Sequence, residues 1–252
     1  SSSSVIVTSY CHKCIRNMNC NAGVPCEELP IDRAEDLNGK AFKKGLSHQQ
    51  MLEVYGRFAP TYEKALCPRY YQGPKFTAEA LADQVSLDER SSIKVLDIGA
   101  GTGLVGLQLK QQGFHHIDAL EPSESMAIEA IKKNVYKTLH ISTIGDDPVN
   151  IQENTYDGIV TCGTFGENHI PSEALVDMIR IVKPGGIIII AMRHRYLVEA
   201  KELIDKFEPF AGKLESLGRW ILLKKEIKAN YAYNYDGIIY TYMVQNNIFT
   251  AT

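Results

Sequence analysis

The segment of this 252-residue chain with the clearest chemical content is Val95-Leu96-Asp97-Ile98-Gly99-Ala100-Gly101-Thr102-Gly103. Apolar residues lead up to an acid, and three glycines follow at alternate positions. Such glycines let the backbone pass close to a ligand and turn into a helix whose first N–H groups point at it. Gly101-Thr102-Gly103-Leu104-Val105-Gly106 also satisfies G-x-G-x-x-G, a dinucleotide pattern that is weak alone. Asp97 argues against a pyrophosphate, which its carboxylate would repel. It suits the ammonium of a methionine moiety, held directly or through water. Glu121 follows Gly103 by 18 residues and can accept from ribose hydroxyls in either ligand class, so it does not decide between them. Gly145-Asp146-Asp147 offers a carboxylate to an adenine amino group.

Positioning these residues takes strands and helices in alternation. Residues 93–98 read as a strand, 104–112 as a helix, 116–120 as a second strand and 123–133 as a second helix. Residues 138–144 and 156–161 suit a third and a fourth strand. Residues 172–182 suit a helix stopped by Pro184-Gly185-Gly186, and the β-branched run 187–191 suits a strand buried on both faces. This order implies βαβ units and a mostly parallel sheet. Residues 196–217 read as largely helical. Residues 220–228 and 238–244 read as strands joined through Asp236-Gly237, a common hairpin turn pair. Upstream, Ser47 and Gln50 stand at capping-box positions, and Met51, Val54, Tyr55 and Phe58 recur at helical spacing. Pro60 ends that helix or starts the next, and Thr77 opens a further helical segment.

Composition narrows the class. Apolar residues make up 44% and charged residues 23%, as in a soluble globular protein, and a net charge of −3 lacks the basic excess of a dedicated nucleic-acid binder. No apolar run approaches the roughly 18 residues of a membrane helix, and Val5-Ile6-Val7 is too short for a signal-peptide core. The expectation is a cytoplasmic protein with neither nucleic acid nor membrane as partner. Cys11, Cys14, Cys20 and Cys26 crowd a front end that starts at Ser1 instead of Met, which suggests a processed or truncated start. Cys11-x2-Cys14 has zinc spacing, with His12 nearby, but Cys20 and Cys26 do not form a second close pair. Free thiols in a reducing tail are favoured over zinc, and disulfides less than either.

Taken together, Val95 to Gly103, Glu121-Pro122-Ser123, Gly145-Asp146, Tyr156-Asp157-Gly158-Ile159-Val160 and Val182-Lys183-Pro184-Gly185-Gly186 occur in the order and spacing of one family. Over about residues 93 to 192 the chain resembles the class I S-adenosylmethionine-dependent methyltransferases. Tyr55-Gly56-Arg57-Phe58-Ala59-Pro60-Thr61-Tyr62-Glu63 and Asn168-His169-Ile170-Pro171-Ser172-Glu173-Ala174-Leu175 look like the methyltransferase-like branch that includes the Williams–Beuren region protein. The resemblance implies an α/β, Rossmann-like, seven-stranded and mostly parallel sheet, with an antiparallel last strand inserted beside the fifth. The chain then divides into a disordered Cys-containing tail (1–30), an N-terminal helical lid (31–90) and a methyltransferase core (91–252). The implied cofactor is S-adenosyl-L-methionine, with S-adenosyl-L-homocysteine as product.

Carried over residue by residue, the resemblance places Gly99, Gly101 and Gly103 against the cofactor and Glu121, followed by Pro122, on the ribose hydroxyls. Asp146 would contact adenine, with Gly145 beside it. Cys162 and Gly163 would lie near the transferred methyl, Tyr55 and Tyr62 would close over the cofactor, and Met126 would cover adenine. Tyr55 and Met126 serve equally well as core packing. A base is needed only where the acceptor loses a proton. His169, in the loop after the fourth strand, is the candidate, with Glu167 second; His169 also suits a capping or surface role. His115 and His116 start the second strand, at the wrong end. No Asn-Pro-Pro-Tyr or Pro-Cys follows the fourth strand, which leaves a small-molecule acceptor or an unusual protein side chain. Tyr231, Tyr233, Tyr235, Tyr240 and Tyr242 shape an acceptor pocket or pack an edge hairpin. The alternatives are a nicotinamide-dependent oxidoreductase and a non-catalytic cofactor-binding protein.

Overall fold

The computed structural model describes residues 6–7, 39–66, 70–145 and 148–245. The four N-terminal cysteines and Asp146 lie outside them. The elements are β1 (Ile6–Val7), α1 (His48–Phe58), α2 (Tyr62–Ala65), α3 (Gly73–Ala82), β2 (Lys94–Ile98), α4 (Leu104–Gln111), β3 (His116–Leu120), α5 (Glu124–Lys132), β4 (Leu139–His140), β5 (Tyr156–Cys162), α6 (Ala174–Ile181), β6 (Val182–Arg193), α7 (Tyr196–Glu199), α8 (Phe207–Ser216), β7 (Trp220–Ala232) and β8 (Tyr235–Val244). Short 3-10 turns lie at Lys40–Phe42 and Ala59–Thr61.

The strands join one sheet in the order β1-β4-β3-β2-β5-β6-β8-β7. From β4 to β6 the neighbours are parallel; β8 runs antiparallel between β6 and β7. These seven strands are the α/β Rossmann-like sheet the motif order implies, last strand inserted beside the fifth. Ile6–Val7, from the segment read as a tail, adds an antiparallel eighth strand beside β4.

The β-branched run in β6 shows why the sheet needs helices on both faces. Ile187, Ile189 and Ala191 point to one face, where Val95, Ile117, Val160 and Leu81 of α3 are buried with them. Ile188, Ile190 and Met192 point to the other, against Met178 of α6, Phe207 of α8 and Trp220. Each such buried side chain contributes roughly 1.5–3 kcal/mol relative to exposure. The segment read as a lid divides: α1 packs over α5, whereas α3 lies on β5 and β6.

Ser47 caps α1 as its spacing predicts: its Oγ accepts from the Gln50 N–H at 3.2 Å, and the Gln50 side chain accepts from the Ser47 N–H at 2.9 Å. Elsewhere the boundaries shift for identifiable reasons. Helix α3 starts at Gly73, before Thr77, because Pro74 sits in its first turn, where a missing N–H costs nothing. The third strand shrinks to Leu139–His140, after which the chain leaves the sheet. The helical stretch after Tyr196 breaks at Ala200, which is extended (ψ 120°), and resumes at Phe207, past Asp205 with φ +51°. The hairpin turn is Tyr233-Asn234, both in the left-handed region (φ +50° and +66°), and not Asp236-Gly237. Gly237 instead lies inside β8, opposite Lys228 and Arg193. A Cβ there would stand 2.4 Å from the Tyr231 ring, so its need is close approach to an aromatic.

Gly237→Ala is therefore expected to destabilise the protein by about 1–3 kcal/mol through overpacking. Thermal unfolding checks this: a midpoint within a degree or so of wild type would show that Tyr231 moves freely.

Candidate active site

A cleft of about 340 Å³ opens at the carboxyl ends of the parallel strands. This is where ligands bind in open α/β sheets. Its floor is Ile98, Gly99 and Gly101 after β2, Leu120, Glu121 and Pro122 after β3, and Cys162, Gly163 and Thr164 after β5. Met126 of α5 and Thr143-Ile144 form one side. Met51, Tyr55 and Tyr62 from the N-terminal helices, with His169, cover the rest.

The glycine loop owes its shape to what it touches. Gly99 adopts φ +67°, and a Cβ there would come within 2.2 Å of Thr164 Cγ2. Glu121, 6% exposed, accepts from the Gly101 N–H through Oε2 and from the Ser123 N–H through Oε1, both at 2.8 Å. A carboxylate oxygen has further acceptor capacity after one such bond, so Glu121 can still receive two hydroxyls. Burial pushes its pKa up to about 7, against the pull of those two backbone bonds. Asp97 lies beneath the loop and does not line the cleft. Burial raises it as well, to about 7; the Tyr136 hydroxyl, donating to Oδ2 at 2.6 Å, opposes this, and the Glu121 charge adds to it. Its Oδ1 is buried without a partner.

His169 is held in one tautomer. Its Nδ1 lies 2.6 Å from the Glu167 carbonyl, which can only accept, so Nδ1 carries the proton. Nε2 then accepts from the Tyr55 hydroxyl at 2.8 Å. The ring stacks on Phe42 with centroids 4.2 Å apart, and burial pushes its pKa down to about 4. The Glu167 carboxylate is bound to the Lys201 N–H at 3.1 Å and takes no part in the cleft wall.

Of the residues singled out in the sequence, Tyr55, Tyr62, Gly99, Gly101, Glu121, Pro122, Met126, Cys162, Gly163 and His169 meet around this space. Gly103 packs behind the loop towards Tyr136 and Lys133, and Gly145 against Pro171. His115 and His116 are exposed at the opposite end of β3. The five tyrosines separate: Tyr231 and Tyr233 are buried in the core with Ile189 and Ala191, Tyr235 packs against it, and Tyr240 and Tyr242 pack with Phe207 and Trp220 in the core on the other face of the sheet. No motif in the sequence marks Tyr136, Phe42, Glu202 or Arg193. Arg193 alone carried a signal, as a charge closing an apolar strand.

Residues 70–226 match the family model described as a methyltransferase domain. The chain belongs to the class I S-adenosylmethionine-dependent methyltransferases. It is 27% identical to methyltransferase-like protein 27 of Homo sapiens over 68% of this chain and 71% of that protein. It is 26% identical to a ubiquinone biosynthesis O-methyltransferase of Rickettsia typhi over 46% of this chain and 48% of that protein. In fold it is similar to a Burkholderia thailandensis 1,6-didemethyltoxoflavin-N1-methyltransferase solved with S-adenosylhomocysteine, at TM-score 0.56 and 14% identity over 81% of this chain and 92% of that one. The cyclase SpnF aligns as well, at TM-score 0.58 and 13% identity over 81% and 98%.

The site of this methyltransferase fits its cofactor. Among the described residues the main cleft is lined by the acids Glu121 and Glu202 and by no Lys or Arg, which suits a sulfonium and opposes a pyrophosphate. The nicotinamide and non-catalytic readings give way to this assignment. No described helix is long and apolar enough to cross a membrane.

The raised carboxyls set a pH dependence. A neutral buried acid binds its proton more tightly folded than unfolded, so the contribution of these two carboxyls to stability falls as pH rises from about 4 towards about 7 and levels above that. His169, whose pKa burial pushes down, acts in the opposite sense over the lower part of that range, so the Glu121 contribution is read as a difference: in ligand-free protein the thermal midpoint of Glu121→Gln relative to wild type should rise across the window. An unchanged slope in the variant would remove Glu121 as a cause.

Proposed function

We propose that this methyltransferase acts on a small-molecule acceptor, that Glu121, Gly99, Gly101, Pro122, Met126 and Cys162-Gly163 hold the cofactor with Asp97 and Gly103 supporting the glycine loop from behind, and that α1 and α2, carrying Tyr55 and Tyr62, form the lid. The observation that carries the reading is the two-sided Glu121 carboxylate, which fixes the glycine loop and still presents acceptor sites to paired ribose hydroxyls. The cofactor supplies a methyl group already activated by positive sulfur. The chain's own task is to align the acceptor and strip its water, and proximity of this kind accounts for much of such a rate. Adenine is assigned to the side with Met126 and Ile144, and the methionine end to Gly99 and Cys162-Gly163. Gly145 and Asp146 are assigned near adenine; Asp146 lies outside the described residues, and Gly145 acts there through Ile144 and Pro171.

Where the acceptor carries a proton, His169 is assigned as the proton-accepting group. Its Nε2 lone pair already points at the Tyr55 hydroxyl. That hydroxyl would take the acceptor's proton as it gives its own to Nε2, leaving both acceptor and Tyr55 neutral at the end. A cleft enclosed by Tyr55, Tyr62 and Met51 suits a small acceptor, in keeping with the ubiquinone and toxoflavin methyltransferases among its relatives.

S-adenosylhomocysteine should bind in isothermal titration, and Glu121→Ala should weaken it by roughly 100-fold through loss of two charge-assisted bonds. No binding at millimolar ligand would sink the reading. Once an acceptor is found by methyl incorporation in metabolite extracts, His169→Gln should lower kcat while leaving the cofactor KM near wild type. Equal loss in both would make His169 a packing residue.

A further inference from the structure

The cleft does not end at the residues assigned to the methyl group. A second, smaller cavity of about 30 Å³ shares Tyr55, Tyr62, Cys162 and Gly163 with it and continues to Phe42, Tyr71, Tyr196, Tyr231 and Arg193. A group at that shared boundary would stand between the cofactor cleft and Arg193.

Arg193 closes β6, on the face that carries Ile189 and Ala191. It is 7% exposed. Its guanidinium lies 5.3–5.9 Å from the ring centres of Phe42, Tyr196, Tyr233 and Tyr235. Among the described residues no carboxylate forms an ion pair with it, and its second terminal nitrogen is buried without a hydrogen-bond partner. Aromatic faces offset part of a buried positive charge, but they do not accept the directed N–H of the orphan nitrogen. The Tyr196 side chain is a hydrogen-bond partner of the guanidinium, but no counter-charge among the described residues completes the pairing usual for a buried arginine.

The polarity of the whole space follows. Carboxylates line the cofactor end, and a single guanidinium stands at the far end. On the methyltransferase reading above, we propose that the acceptor carries a carboxylate that seats on Arg193, with its nucleophilic atom at the boundary formed by Tyr55, Tyr62, Cys162 and Gly163. The planar guanidinium fork matches the two oxygens of a carboxylate, and the cavity holds little more than one or two water-sized groups. Arg193 is thus a specificity residue for an organic acid.

Benzoate, its uncharged isostere benzamide, and phenyl phosphate are titrated into the full-length protein saturated with S-adenosylhomocysteine. Benzoate should bind saturably and at least about ten-fold tighter than benzamide, since only the acid can pair with the guanidinium. Arg193→Met should erase that difference and Arg193→Lys should keep part of it, with homocysteine-product affinity unchanged in both. Equal binding of benzoate and benzamide to wild type overturns the proposal. Discrimination that survives in Arg193→Met overturns it as well, and tighter binding of phenyl phosphate overturns the choice of carboxylate. Should Arg193→Met not fold, the wild-type comparison and Arg193→Lys still decide. Failure of S-adenosylhomocysteine to bind wild type is a separate result and strikes the underlying cofactor assignment.

Discussion

One buried carboxylate ties the site to the fold. Glu121 closes β3, and its two oxygens receive the N–H of Gly101 from the loop after β2 and the N–H of Ser123 at the entry to α5. Two strand ends and a helix start are therefore held at one point. Ser123 in turn caps α5, its hydroxyl accepting from the Met126 N–H at 3.4 Å. Met126 is carried into the cleft wall by that geometry. Charged hydrogen bonds of this kind are worth roughly 1.5–3 kcal/mol each, and removing one partner leaves the other buried and unmet. The cleft is thus built from contacts the fold itself needs.

The second layer of support is aromatic. Phe42 stacks on His169, His169 receives the Tyr55 hydroxyl, and Tyr55 meets Tyr62 edge-on at 6.2 Å. Tyr71 and Tyr231 place their hydroxyls 3.2 Å from Cys162 Sγ. The N-terminal helices thereby contact the strand-end loops through side chains with few rotatable bonds, which hold position at low entropic cost. The sheet is shared with a cyclase as well as with methyltransferases, so the fold alone does not fix an activity.

Much of this was legible in order and spacing. The run ending in Gly99, Gly101 and Gly103, the acid 18 residues later and the β-branched strand at 187–191 located the sheet and the floor of the cleft, because strand ends and glycine turns are local features. What was not legible depended on contacts between distant segments. Asp236-Gly237 has the composition of a hairpin turn, yet Gly237 serves the Tyr231 ring, and the turn falls on Tyr233-Asn234. Asp97 reads as a ligand group, yet Tyr136, 39 residues on, claims one of its oxygens. Phe42 and Arg193 meet at the site from 151 positions apart, a proximity no periodicity encodes.

A crystal structure of the protein with S-adenosylhomocysteine bound decides whether Glu121 organises the cofactor. Both ribose hydroxyls should lie on Glu121, adenine beside Met126 and Ile144, and the sulfur should turn towards Cys162-Gly163 and the small cavity with Arg193. A ligand bound away from Glu121, or one whose sulfur faces away from that cavity, would contradict this arrangement.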